Sequence, residues 1–237
     1  MAQHKGITIT WLGHSAFHVV TKKGTSILLD PWLKNPKAPP AADRIEKVDI
    51  IAISHGHSDH LGNSEEIAKR TGATVVAIYE VAQYLTRKGV ADVRAVNKGG
   101  SVTIRDVRIT MVDAKHSSDI DVDGAAFPGG EAAGYILECE NGPTLYHAGD
   151  TAVFSDMVII GKIYKPSVVI LPIGDLFTMG PREAAFACNL LKPQHIIGMH
   201  YGTFPALTGT PQELRKLLPT GLRKRVKELE PGVPVTF

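Results

Sequence analysis

Hydrophobic and polar residues alternate over short stretches in the first third of the chain. Apolar runs separated by glycine-containing turns are typical of strands joined in hairpins. Such runs lie at residues 6–12, 15–20 and 26–29. A further run at 48–53, VDIIAI, is almost continuously apolar and predicts a buried strand. The beginning of the chain is therefore predicted to form a sheet with antiparallel hairpins.

Strands and helices alternate in the rest of the chain. Further strands are predicted at residues 73–77, 102–104, 107–112, 133–139, 144–146, 168–171 and 195–198, with two short ones on either side of Pro231-Gly232. Helices are predicted at residues 61–71, 81–88, 152–163, 180–191 and 211–218. Asn141-Gly142 is predicted to form the turn of one hairpin. Early hairpins followed by strand–helix alternation favour an α/β (α+β) domain, with two sheets face to face and helices outside.

Two segments lack a regular pattern. Residues 31–46 contain Pro31, Pro36, Pro39 and Pro40, which fit neither a helix nor an inner strand. We interpret this segment as a surface loop, either a passive connector or a lid over a site. Residues 117–131 are also predicted to be a loop. Because no linker or low-complexity segment occurs, residues 1–237 are predicted to form a single domain.

Composition and charge narrow the class of protein. Lysine and arginine total 26 and aspartate and glutamate total 24, and the resulting net charge of +2 disfavours a nucleic-acid partner. Cys139 and Cys188 cannot build a disulfide framework or a thiolate zinc cluster, and we expect both to be buried and reduced. The first residues run directly into a strand pattern, and no uncharged apolar run is long enough to cross a membrane. We therefore expect a cytoplasmic protein with no membrane partner.

The strongest chemical signal is the segment SHGHSDHLG, which follows the strand at 48–53 and opens a helix. His55 and His57 point to the same side of an extended loop, because side chains alternate with a period of two. Asp59 and His60 lie on the turn into the helix, and their side chains face a second position beside the one that His55 and His57 face. This arrangement suits two adjacent ions. Imidazole and carboxylate ligands favour zinc, manganese or iron over calcium or magnesium.

Two ions need more ligands, and other strand ends can supply them. His116 follows the strand at 107–112, Asp150 follows the strand at 144–146, and His200 follows the strand at 195–198. Each lies close to a glycine or a small residue. One histidine after a strand would be weak support for a metal site, but three such residues in this order are strong support.

This ordered set, from Trp11-Leu12-Gly13-His14-Ser15 to His200, resembles the metallo-β-lactamase superfamily over nearly the whole chain. The resemblance implies a four-layer αββα sandwich with the metals at one edge of the sheets. It also implies the following site: a first metal held by His55, His57 and His116, a second held by Asp59, His60 and His200, Asp150 as the bridge, and Asp30 as a brace for the metal loop.

Five shorter motifs resemble one branch of that superfamily: WLGHSAF, LLDPW, HxHxDH, YHAGDT and IGMHYGTFP. This branch contains ascorbate-phosphate lactonase and many small bacterial metal-dependent hydrolases, of which the latter have this length. Members of this branch also carry a pair of histidines near the site that correspond to His14 and His147 of this sequence.

The ligand set and the resemblance predict a hydrolase with two divalent transition-metal ions, zinc or manganese first and iron or nickel as alternatives. A metal-bound hydroxide is expected to cleave a small lactone, ester or phosphodiester. Asp59 is predicted to hold the proton during the reaction. His147 is predicted either to support a metal ligand or to act as general acid, and His14 has the same two alternatives. Asp175 lies in the 174–180 loop, which either lines the substrate pocket or only leads into a helix.

Three other functions stay open. A nuclease or phosphodiesterase acting on nucleic acid is disfavoured by the balanced charge and by the short spacing between Asp150 and His200, which leaves little room for a cap domain. An iron oxidoreductase of the same superfamily and a metal-binding module without turnover are the other two. We expect a small-molecule substrate, and a homo-oligomer is an open alternative to a monomer.

Overall fold

The apolar runs of the sequence form strands in the computed structural model, which describes residues 6–140 and 142–237; Asn141 of the predicted turn lies outside these residues. The strands are β1 (Thr8–Trp11), β2 (Phe17–Val20), β3 (Ser26–Leu29), β4 (Ile50–Ala52), β5 (Thr74–Ile78), β6 (Val93–Val96), β7 (Ser101–Ile104), β8 (Val107–Asp113), β9 (Asp119–Val122), β10 (Ala125–Pro128), β11 (Ala133–Cys139), β12 (Thr144–His147), β13 (Val168–Pro172), β14 (His195–Met199), β15 (Val226–Lys227) and β16 (Pro234–Thr236). The helices are α1 (Ser58–Leu61), α2 (Ser64–Thr71), α3 (Tyr79–Arg87), α4 (Met157–Tyr164), α5 (Pro181–Leu191), α6 (Pro211–Leu217) and α7 (Thr220–Arg223), with a short 3₁₀ turn at Ala42–Arg44.

Within the described ranges the strands form two seven-stranded sheets and a separate two-stranded ribbon. The first sheet has the order β16-β1-β2-β3-β4-β5-β6, and the second has the order β15-β14-β13-β12-β11-β8-β7. Each sheet begins as antiparallel hairpins and continues as parallel strands, β3 to β6 in the first and β12 to β15 in the second. Parallel strands all end at the same edge of a sheet, so residues after them are brought together.

Alternating side chains along the strands explain the layers. In β13, Val168 and Ile170 belong to the core between the sheets, whereas Val169 and Leu171 pack beneath α4, α5 and α6. Residues of α2 and α3 pack with the strands of the first sheet. This alternation follows from the period of two along a strand. The predicted four-layer αββα sandwich is confirmed.

The prediction of a loop at residues 117–131 is wrong. Strands β9 and β10 pair antiparallel there as a small ribbon. Asp123 and Gly124 connect them, both with positive φ, 55° and 81°. Two successive residues in that region form the turn that matches the twist of a two-stranded hairpin. Strand β6 was also not predicted from the sequence.

Two helix boundaries differ from the prediction. Helix α4 begins at Met157 instead of residue 152, because the chain before it bonds to the loop that carries His116. The Thr151 hydroxyl accepts from the Lys115 N–H at 2.9 Å, and the Ala152 N–H donates to the Lys115 carbonyl at 3.1 Å. The helix predicted at 61–71 is divided at Gly62, where φ is +46° and a Cβ atom would lie 2.6 Å from the Pro31 carbonyl oxygen.

The proline-rich segment packs against the body of the protein. Asn35 is buried and donates to the carbonyls of Leu12 and Trp32 at 2.9 and 2.7 Å. These bonds support the interpretation of residues 31–46 as a connector. Over the described part of the chain, no helix has both the length and the apolar character that a bilayer crossing requires.

Candidate metal centre

The predicted ligands lie together at one edge of the two sheets. The turn after β4 carries His55 to His60, the segments after β8 and β12 carry His116 and Asp150, and His200 directly follows β14. The sequence folds this way because each residue comes directly after an apolar strand whose carboxyl end reaches this edge. The turn between β1 and β2 adds His14 from the first sheet.

A first group consists of His55, His57 and His116, whose ligand nitrogens all lie within 4.8 Å of one another. His55 Nε2 is 2.9 Å from His57 Nδ1. The Ser54 hydroxyl lies 2.9 Å from the other His55 nitrogen, Nδ1, and fixes the orientation of the ring. This geometry matches the predicted ligand set of one ion.

A second group consists of Asp59, His60 and His200 together with His14, again with ligand atoms within 4.8 Å of one another. His14 Nε2 is 3.0 Å from Asp59 Oδ2, and the Thr203 hydroxyl is 2.9 Å from His14 Nδ1. The sequence interpretation placed His14 near the site without assigning it to an ion. The structure brings its ring nitrogen as close as the predicted ligands.

Asp150 lies between the two groups. Its Oδ2 atom is 3.0 Å from His200 Nε2, 3.1 Å from His60 Nε2 and 3.8 Å from His116 Nε2. Its Oδ1 atom is buried and has no hydrogen-bond partner among the described residues. A buried carboxylate oxygen without a partner is unfavourable, so this atom fits the position of a ligand to a cation. His60 Nε2 also has no hydrogen-bond partner among the described residues. It lies 3.1 Å from Asp150 Oδ2, but not in the geometry of a hydrogen bond.

The charges of the site support cation binding. Burial acts to raise the pKa of Asp150, but the neighbouring His60 and His200 outweigh it and hold that pKa well below its usual range. Burial acts to lower the pKa of both histidines, but the Asp150 carboxylate raises the pKa of His200 to about 9 and that of His60 well above its ordinary value. The carboxylates thus attract positive charge, which protons or metal ions can supply.

Two other histidines are held neutral. Burial lowers the pKa of His14 to about 4, and burial with the nearby His60 lowers the pKa of His55 well below its ordinary value. A neutral imidazole has one nitrogen free to accept or to bind a metal ion. His55 is therefore in the protonation state that ligation requires, and neutral His14 keeps one N–H that can donate to Asp59.

Asp30 connects the metal loop to the first sheet, as the resemblance implied for this residue. Its Oδ1 atom accepts from the Ser54 N–H at 2.7 Å. Its Oδ2 atom accepts from the Ser54 hydroxyl at 2.7 Å and from His60 Nδ1 at 2.9 Å. A proton on Nδ1 of His60 leaves Nε2, which faces Asp150, as the nitrogen available to a metal.

Asp119 is a site residue that the sequence interpretation missed. It begins β9, and its Oδ1 atom lies 3.0 Å from His57 Nε2. The next residue back, Ser118, accepts from the Gly56 N–H at 3.1 Å. These bonds attach the ribbon to the metal loop and leave His57 Nδ1 facing His55. The Asp123-Gly124 pair could have revealed the ribbon, and with it the position of Asp119.

His147 and Asp175 lie outside the cluster of ligand atoms. His147 is fully buried, with Nε2 3.3 Å from the Ser15 carbonyl oxygen and Nδ1 accepting from the Gly149 N–H at 3.3 Å. Both nitrogens face the backbone, a position that favours support over proton donation to a leaving group. Asp175 is exposed, and its carboxylate accepts from the Leu176 N–H at 2.8 Å.

A cleft of about 280 Å³ opens over the ligands. Its wall is formed by His57, Asp59, His116, Ser117, Asp150, Phe177 and His200. The loop after β13 thus reaches the cleft through Phe177 and not through Asp175, the residue singled out from the sequence. Phe177 stands two residues further along in the same segment, so the sequence interpretation found the loop but not the side chain.

Comparisons with known proteins agree with the fold and identify the family. The family profile described as "Beta-lactamase superfamily domain" matches residues 25–201. A UPF0173 metal-dependent hydrolase of Koribacter versatilis is 50% identical over 229 residues, covering 96% of this chain and 97% of that protein. One of Methanopyrus kandleri is 48% identical over 226 residues, covering 94% and 97%. The solved structure of a metallo hydrolase from the archaeon Ignicoccus hospitalis has a TM-score of 0.88 and 36% identity, with 98% of each chain covered.

Fold and site together define a metal-dependent hydrolase. The chain belongs to the metallo-β-lactamase superfamily and, within it, to the UPF0173 metal-dependent hydrolases. The family resemblance seen in the sequence is confirmed.

Proposed function

We propose that this hydrolase binds two divalent transition-metal ions and cleaves a small lactone, ester or phosphodiester with water. The observation that carries the proposal is the position of Asp150 between two groups of ligand atoms, with one buried carboxylate oxygen left without a partner among the described residues. In this proposal His55, His57 and His116 would hold one ion, Asp59, His60 and His200 would hold the other, and Asp150 would be shared between them. Zinc and manganese are the first candidates, since imidazole and carboxylate ligands suit both.

Bound ions of this kind would lower the pKa of water from 15.7 toward about 7 and so would supply hydroxide at neutral pH. The chain's own residues then have to hold a proton and exclude competing water. In ester cleavage, water adds its oxygen to the carbonyl carbon, the bond to the leaving oxygen breaks, and the proton from water ends on that oxygen. The cleft wall offers Asp59 as the residue that could carry this proton.

The surroundings of Asp59 permit this role but constrain it. Its side chain is 30% exposed in the cleft, and Oδ2 accepts a hydrogen bond from His14. Burial acts to raise the pKa of Asp59, but hydrogen bonds from His14 and His200 lower it far below its ordinary value. A strongly ionised carboxylate is a good ligand and a weak base, so Asp59 would pass the proton on directly. Asp59→Asn should reduce kcat while the metal content is retained; unchanged turnover with both ions bound would exclude the proton-carrying role.

We assign His147 to support. With one ring nitrogen at the Ser15 carbonyl and the other at the Gly149 N–H, it stabilises the segment that leads to Asp150. His14 is assigned to orienting Asp59 through its 3.0 Å contact. Descent from the same branch as ascorbate-phosphate lactonase remains a prediction.

Metal analysis of matched variants tests the proposal. We expect two equivalents of metal per chain in the parent protein and about one in His116→Ala and in His200→Ala. Asp150→Asn should weaken both sites. His195→Ala is the matched control, because His195 lies on β14, the strand that leads to His200, but belongs to neither group of ligand atoms. A parent protein that binds one equivalent, with equal losses in all site variants, would contradict the two-ion assignment.

The reaction is tested on a panel with neutral lactones, p-nitrophenyl esters, bis(p-nitrophenyl) phosphate and single-stranded RNA. Turnover that depends on added zinc or manganese and disappears in Asp150→Asn supports hydrolysis at this site. Preference for RNA would favour the nuclease, and iron content with oxygen uptake would favour the oxidoreductase. Full metal content without turnover of any substrate would favour a binding module.

A further inference from the structure

The loop between β13 and α5 holds an apolar side chain at the mouth of the cleft. Phe177 lines the cleft and is 61% exposed, and its neighbour Leu176 is 62% exposed. Large apolar side chains that remain exposed beside a site are typical of surfaces that bind an apolar ligand. Besides Ser117, Phe177 is the one wall residue of the described chain that is outside the proposed ligand set.

The backbone holds this loop in a fixed position. The Met179 N–H donates to the Thr151 carbonyl at 3.1 Å, next to Asp150, and the Asp175 N–H donates to the Met179 carbonyl at 3.1 Å. Met179 itself is fully buried beneath the helices. The loop is therefore anchored to the metal centre on one side and to the core on the other.

The backbone of the same loop is strained, which shows that contacts with the surrounding structure determine its conformation. Leu176 has φ +60°, a value that is unfavourable for a leucine, and Asp175 before it has φ +69°. Strained conformations of this kind persist only where surrounding contacts determine them, and they cluster at ligand sites. Here the strained pair presents Leu176 and Phe177 to solvent instead of to the core.

The described side chains of the cleft wall offer no permanent positive charge for a substrate. Among the described residues that line it there is no lysine or arginine. Lys115, adjacent to His116, contacts the Asp113 carboxylate instead, and Lys37 lies over the rings of Trp11 and Tyr201. A carboxylate or phosphate group away from the reacting bond would thus have no cationic partner in the wall, whereas such groups are usually held by arginine or lysine.

Resting on the proposed function, we infer that the substrate is a neutral ester or lactone whose alkyl or aryl group packs against Phe177. Phe177 is the specificity-determining residue of this reaction, and anionic phosphodiesters are disfavoured substrates. The reacting carbonyl lies over the ligand groups while its apolar substituent covers the exposed phenyl ring.

Binding of n-alkyl hydroxamates to the metal-loaded protein tests the inference without requiring turnover. The hydroxamate head binds the metal, and the tail length is varied from two to eight carbons. We expect each added methylene that reaches Phe177 to lower Kd about three- to fourfold, since burying a CH₂ group is favourable by that amount. In Phe177→Ala the gain should fall below about twofold per methylene, and Phe177→Leu should restore part of it.

The matched control is Phe186→Ala, because Phe186 on α5 is equally exposed at 59% but does not line the cleft. It should keep the dependence on tail length of the parent protein. Equal dependence in Phe177→Ala and in the parent, or no effect of tail length in the parent, would overturn the inference. So would tighter binding of tails that end in a carboxylate.

Hydrolysis of p-nitrophenyl esters with the same acyl lengths separates the two proposals. Tail-dependent hydroxamate binding through Phe177 without ester or lactone turnover would leave the apolar subsite in place and overturn the hydrolytic assignment. Ester turnover whose kcat/KM does not depend on acyl length, in the parent and in Phe177→Ala alike, would support the hydrolytic assignment and overturn the apolar subsite.

Discussion

At the residue scale, the site depends on side chains that orient the proposed ligands as much as on the ligands. Asp30 accepts three hydrogen bonds while almost fully buried, two from Ser54 and one from His60. Its backbone φ of +44° and the φ of +50° at His14 are unusual for residues with side chains. Asp30 thus joins the end of β3 to the loop after β4 at the point where the metal ligands begin.

Replacing Asp30 by asparagine should weaken both the fold and the site. The asparagine amide cannot accept all three bonds, and one donor is left without a partner. We expect a loss of about 2 kcal/mol in the free energy of unfolding and a 10- to 100-fold loss in metal affinity. Urea unfolding and metal titration measure the two effects. Asp43→Asn, at an exposed position of the 3₁₀ turn, should change neither; parent-like metal affinity in Asp30→Asn would refute the bracing role.

Buried thiols and phenols determine the response to alkaline pH. Burial raises the pKa of Cys139 and of Cys188 to about 12, and burial raises the pKa of Tyr135 well above its ordinary value. In the unfolded chain these groups lose their protons at lower pH, so the unfolded state binds fewer protons above about pH 9. Their contribution to stability is therefore complete below that pH and is lost as the pH rises toward the folded-state values.

We expect the urea midpoint to fall between pH 8 and pH 10, and neither thiol to react with Ellman's reagent in the folded protein at pH 8. Both thiols should react in denaturant. Rapid labelling of a thiol without unfolding would contradict the burial on which this prediction depends.

Residue types and spacing were enough to predict the seven proposed ligands, because every one follows an apolar strand and the strand ends share one edge. Residue types and spacing were not enough to predict that Asp119 and Phe177 belong to the site. Neither residue type is unusual in a loop, and their positions depend on how the loops fold back over the edge.

At the scale of secondary-structure elements, local signals predicted strands and helices well where the signal was strong. Helix α6 carries a capping box: the Thr210 hydroxyl accepts from the Glu213 N–H at 3.2 Å, and the Glu213 carboxylate accepts from the Thr210 N–H at 3.2 Å. The ribbon β9–β10 was missed although Asp123-Gly124 is a strong turn signal, because its strands are short and mostly exposed. Helix α4 was predicted too early because nothing local shows that Thr151 and Ala152 bond to Lys115.

Thr210→Ala should remove one half of the capping box. The loss of the hydroxyl leaves the Glu213 N–H without its side-chain acceptor, so we expect the free energy of unfolding to fall by about 1 kcal/mol. Thr220→Ala is the control, since the N-cap of α7 is Pro219 and not Thr220. Chemical denaturation of the three proteins measures the effect. Equal stability of the Thr210 and Thr220 variants would show that the box contributes nothing.

At the scale of the whole molecule, the metal centre joins the two sheets. His14, Asp30 and the loop after β4 come from the first sheet, whereas Asp150 and His200 come from the second. The sequence pattern predicted two packed sheets, but the packing of one strand end over another is long-range and is not encoded in any local period. Tyr135 of β11 makes a further connection, since its hydroxyl donates to the carbonyl of Ile53 at 2.8 Å and lies 3.2 Å from that of Val76, both in the first sheet's strand region.

Because ligands from both sheets converge, metal binding should stabilise the whole fold. A ligand that binds only the folded state stabilises it by about 2.7 kcal/mol at a free concentration of 100 Kd. For a chain of this length, each kcal/mol corresponds to about 2–4 °C in Tm. Removal of metal with a chelator should therefore lower Tm by about 5–10 °C, and addition of zinc or manganese should restore it. His200→Ala should show a smaller metal-dependent shift and His195→Ala the full one. A Tm that does not respond to chelation in a protein shown to have released its metal would mean that the ions do not link the sheets.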